Sequence, residues 1–108
     1  MDIIACLELE IKRCQSRYDA ERDHPYLSNV YGSELAQLKE FYEKLQGGES
    51  PKVLLTSLKQ LLPELKEYRE QELEHASFDW YGEHYHYERL EGVCDAFETM
   101  IRLLEQYI

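Results

Sequence analysis

The sequence predicts an all-α fold: a small bundle of four to five helices with near-antiparallel packing, in a single domain over residues 1–108. Three observations carry this. Apolar residues recur at spacings of three and four along several segments. Only five Gly and three Pro are present, and most of them fall between those segments. No stretch alternates as a strand would, except His84-Tyr85-His86-Tyr87. A chain of 108 residues and 12.9 kDa has room for one packed core.

The first helix covers Asp2 to about Asp19. Ile4, Leu7, Ile11, Cys14 and Tyr18 form its apolar stripe, and Glu8, Lys12, Arg13 and Arg17 take the other faces. Pro25 breaks the helical pattern after Glu21, because it disfavours helix in the residue before it. A second helix runs to Gln46 on Tyr31, Leu35, Leu38, Tyr42 and Leu45, with Leu27 one turn earlier. Gly32 leaves two starts open, near Tyr26 or at Ser33 as an N-cap. Gly47-Gly48 closes this helix. Ser50-Pro51 opens the third, with Leu54, Leu58, Leu61 and Leu62 as its apolar face.

Pro63 removes a backbone donor and clashes with the preceding turn, so it should kink or end that helix. We read it as restarting a fourth segment to about Ala76, with Leu65, Tyr68 and Leu73 inward. The last helix has the longest stripe: Tyr87, Leu90, Cys94, Phe97, Ile101, Leu104 and Ile108, widened by Val93, Met100 and Leu103. That width places it centrally in the core. Helices this short need one another or a second chain, so a homodimer stays open.

Twelve Lys and Arg against 22 Asp and Glu give a charge of −10. This argues against a protein that grips nucleic-acid phosphates directly and against docking on an anionic membrane. Met1-Asp2-Ile3-Ile4 has no basic leader and no 18-residue apolar run exists, so a soluble, cytoplasmic protein is expected. Three cysteines without a CxxC encode neither a disulfide framework nor a zinc site. Cys14 and Cys94 lie on apolar stripes, while Cys6 lies off its stripe. Glu72-Leu73-Glu74-His75 is a single Glu-x-x-His, and the first two helices offer no Glu on their stripes. His84 and His86 with Glu83 or Glu88 make a weak second candidate. No metal or other cofactor is expected. Without a Gly-rich phosphate loop, GxSxG or HExxH, neither is a catalytic role.

The acids are unevenly placed. Residues 63–108 hold twelve acids and four bases, a net of −8. In the last helix Glu88, Glu91, Asp95, Glu98 and Glu105 repeat with the helix, one residue beyond the apolar stripe. Neighbours in this row stand roughly 4.5–6 Å apart along the axis, close to the spacing of nucleic-acid phosphates. Glu64, Glu67, Glu70 and Glu74 form a shorter second row. Such rows are either solvated helix faces or a negative surface for a basic groove.

Five aromatics and three of the four histidines lie between His75 and Tyr87. Trp80 falls in phase with the core stripe, whereas Tyr81 and Tyr85 point elsewhere. Either this is a well-filled bundle end or it is a contact patch beside the acids.

In size, acid excess and the row from Glu88 to Glu105 beside Tyr-rich sequence, the C-terminal half resembles small acidic helical proteins of phages and mobile elements. DNA-mimic anti-restriction and anti-CRISPR proteins are among these. No family motif carries the resemblance, and Arg69, Arg89 and Arg102 interrupt the acidic surface. It implies a non-enzymatic inhibitor or regulator of a basic nucleic-acid-handling protein, such as a bacterial defence nuclease in an infected cell. The candidate contact residues are Glu88, Glu91, Asp95, Glu98, Glu105, Glu67, Glu70, Glu74, Tyr81 and Tyr85. The alternative is a self-associating scaffolding bundle whose acids serve solubility.

Overall fold

The first helix, α1 (Ile3–Ala20), begins where Asp2 Oδ1 accepts the Ile4 N–H at 3.2 Å. The second, α2 (Leu27–Gln46), is started by a histidine: His24 Nδ1 accepts from the Tyr26 and Leu27 amides at 3.1 and 3.0 Å. Gly32 and Ser33 therefore lie inside α2, which settles its start in favour of the earlier position. At its end Gly48 adopts φ +96°, a left-handed conformation that suits glycine. The third and fourth helices are α3 (Pro51–His75) and α4 (Tyr85–Tyr107). The computed structural model describes residues 2–75 and 85–108.

Among the described residues there are four helices, the lower of the four to five expected, because Pro63 lies inside α3 and does not divide it. Pro63 and Lys59 are both exposed, so the Lys59 carbonyl that loses its donor faces water. There is no strand among the described residues. Tyr85, His86 and Tyr87 are helical and form the first turn of α4, and His84 lies outside the described residues.

One cluster forms the core, including Leu7, Leu38, Phe41, Leu54, Leu58, Phe97, Met100 and Leu104. α4 packs against all three other helices, and its largest interface is with α2. α1 and α2 pair with opposite running sense (Glu8 with Tyr42, Cys14 with Glu34), as do α3 and α4 (Lys59 with Glu105, Lys66 with Glu98). α2 and α4 run in the same sense, Asn29 meeting Glu88 and Phe41 meeting Phe97.

Several stripe assignments shift by one residue. Because α3 continues through Pro63, its inner side keeps one phase through Leu54, Leu58, Leu62 and Leu65 to half-buried Arg69. Leu61 (45% exposed) and Tyr68 (52%) consequently face outward, against expectation. Ile108, beyond the last turn of α4, is also exposed. In α2 the inner face turns towards Val30, Glu34 and Phe41, and in α1 Cys6 packs against the core.

Candidate functional site

The least expected feature is a charged group in the core. Glu34 is only 6% exposed, which corrects the expectation that α1 and α2 carry no inward Glu. Its Oε1 accepts from Cys14 Sγ at 3.4 Å and from Arg17 Nη2 at 3.5 Å. Arg17 in turn lies over the Tyr31 ring, 5.6 Å from its centroid. Burial, reinforced by the Glu34 charge, pushes the Cys14 thiol up to about 12. The thiol is thus held in its protonated form. Burial also raises the Glu34 carboxyl, with Cys14 and Arg17 acting against it.

Arg17 thus provides the charge that makes burial of Glu34 tolerable. Replacing Arg17 with Met keeps most of the stem packing and removes that charge. The expected loss is about 1–2 kcal/mol in urea unfolding, below the usual figure for a buried pair because Arg17 is half exposed. An unchanged midpoint would contradict this role.

The acidic row of α4 is brought together, but largely against the protein's own helices. Glu88 accepts from Asn29 Nδ2 at 2.7 Å, and Glu91 accepts from the Tyr26 hydroxyl, both across the seam with α2. Burial and Glu91 together raise the Tyr26 hydroxyl. Asp95 follows on the same side, half-buried. Burial first, then the charges of Glu34, Glu91 and Glu98, push its carboxyl up to about 6, with Arg69 opposing. Glu98 and Glu105 are exposed and pair with α3, through Lys66 and Lys59 at 2.9 Å each. Positions one residue beyond the stripe of a central helix fall at the edges of its interfaces, so this row lines two seams.

The α3 acids are placed differently. Glu64, Glu67 and Glu70 are exposed, and Glu70 pairs with Arg69 beside it at 3.2 Å. Glu64 and Glu67 have no ion pair among the described residues. They share the outer side of α3 with exposed Leu61 and Tyr68. Tyr81 lies outside the described residues, as does Trp80, and the description does not extend to the side chains of Glu74 and Tyr85. Tyr87 is half-buried, its hydroxyl raised mainly by burial.

Among the described residues no group of three His, Cys, Asp or Glu is arranged to hold a metal ion. None of the described helices is long and apolar enough to cross a membrane. Sequence reasoning missed Glu34, although a signal existed: Tyr31, Glu34, Leu38, Phe41 and Leu45 are themselves spaced by 3, 4, 3 and 4. It also missed Gly92, which has no side chain to mark a stripe. Comparison with protein-family models, with curated proteins and with solved structures finds no match to this chain.

Proposed function

We propose that the protein is a non-enzymatic inhibitor or regulator that occupies the basic groove of a nucleic-acid-handling protein, in the manner of DNA-mimic anti-restriction and anti-CRISPR proteins. The observation that supports this reading best is the outer side of α3. There Glu64 and Glu67 stand exposed, with no ion pair among the described residues, beside exposed Leu61 and Tyr68. Exposed carboxylates are available to a partner's Lys and Arg and speed encounter. A leucine and a tyrosine beside them supply area that salt does not screen.

Glu98 and Glu105 are further exposed acids, across the seam between α4 and α3. Their lysine pairs are exposed, and such pairs contribute about 0–1 kcal/mol, so a partner's cations displace them at little cost. Glu88, Glu91 and Asp95 have their main role in the fold.

The test is a pull-down from bacterial lysate with tagged protein, washed at low and then high salt, with competitor DNA in parallel. A basic nucleic-acid-handling protein retained at low salt and displaced by DNA supports the reading. Recovery of the chain alone rejects it. That outcome favours a self-associating bundle, for which Val53, Tyr107 and Ile108 (50–56% exposed) offer apolar surface.

A further inference from the structure

α2 and α4 approach closely at Gly92. A Cβ there would collide with Ser33 Oγ and the Val30 carbonyl oxygen and lie 3.0 Å from the Glu34 amide nitrogen. Ser33 Oγ also donates across the seam to the Arg89 carbonyl at 2.9 Å. Asp95 comes one turn after Gly92 on the same side of α4, and Glu34 comes one residue after Ser33. The contact that brings the backbones together therefore brings two carboxylates to one seam.

The charges around this pair come from every helix. Glu10, Cys14 and Arg17 of α1 face Glu34. Arg69 of α3 faces Asp95, as do Glu91 and Glu98 of α4 itself. Arg17 is engaged by Glu34, Arg69 also pairs with Glu70, and Lys66 of α3 pairs with Glu98. Carboxylates outnumber cations at the seam, and like charges held in a poorly hydrated site resist ionising together.

We propose that the α2–α4 seam is a proton-operated latch. While a proton is held on Asp95 beside Glu34, the first half of α4 stays closed on α2; its loss loosens that half. The sign is set by the folded state, which holds the proton more tightly than the unfolded chain. The stabilisation is complete below 3.8, the ordinary value for Asp95, and is lost as pH rises through about 6.

Asp95→Asn keeps the shape and removes the titration. The melting temperatures of variant and wild type should coincide near pH 4 and diverge above it. The variant should be higher by roughly 5 °C at pH 7–8, for a domain of this size. Both proteins contain the same histidines, so histidine titration cancels in the comparison. Parallel curves would overturn the latch. A carboxyl-carbon NMR titration of Asp95 in the unaltered chain gives an answer even if the variant packs poorly. A midpoint near 6 that falls in Glu34→Gln supports the proposal, and a midpoint near 4 overturns it. Amide exchange along α4 at pH 5 and 7.5 should then be faster at the higher pH, after correction for intrinsic rates, at 91–97 but not at 101–105. Uniform change along the helix would overturn the local opening.

Discussion

Gly92→Ala is expected to destabilise the protein by about 3 kcal/mol, lowering its melting temperature by more than 10 °C. Alanine is normally the better helix residue, by about 1 kcal/mol, so on an exposed face the same change would stabilise. Here the new methyl meets the Val30 carbonyl, which is backbone and cannot rotate away, as well as Ser33 Oγ. α2 and α4 must move apart, and the Ser33 bond to the Arg89 carbonyl lengthens or breaks. Since this is the largest interface among the described helices, the strain reaches the core. Thermal unfolding checks it. A neutral or stabilising result would mean that the helices do not cross this closely at Gly92.

Phe41→Ala should cost more, about 3–5 kcal/mol. Phe41 is 1% exposed, and its ring meets Phe97 edge-on at 5.3 Å with an interplanar angle of 67°. The truncation opens a cavity among residues of all four helices in the one core cluster. Urea unfolding of Phe41→Ala and Tyr42→Ala discriminates the register of α2. Tyr42 is only half-buried and its hydroxyl donates to Glu8 at 3.0 Å, so its loss should cost about half as much. Equal costs would return the inner face to the phase read from the sequence.

That one-residue difference shows how the sequence was legible and where it was not. The periodicity located α1, α4 and the end of α2 to within two residues because each carries a stripe spanning several turns, but it left the start of α2 open between Tyr26 and Ser33. In α2 it fixed Leu35 and Leu38 but could not choose their neighbouring column, where Tyr31 and Tyr42 compete with Val30, Glu34 and Phe41. Both columns fit a wide stripe, and only the crossing with α4 decides between them. Pro63 was overread: a lost donor is cheap where the orphaned carbonyl faces water, and exposure is a tertiary property. Likewise the α4 acids were visible as a row, but their partners Tyr26, Asn29, Lys59 and Lys66 lie far away in sequence. The function of that row was therefore less legible than its spacing.

The proposed function turns on exposed acids on the outer side of α3 engaging a basic partner. Glu64→Lys/Glu67→Lys reverses their charge and is assayed for binding to the protein recovered in the pull-down. Both positions are exposed, so melting should shift by only a few degrees. Affinity at low salt should fall tenfold or more, chiefly through slower association, and the wild-type salt dependence should weaken. A folded double variant that binds as tightly as the wild type, with the same salt dependence, would refute the proposed role of this surface.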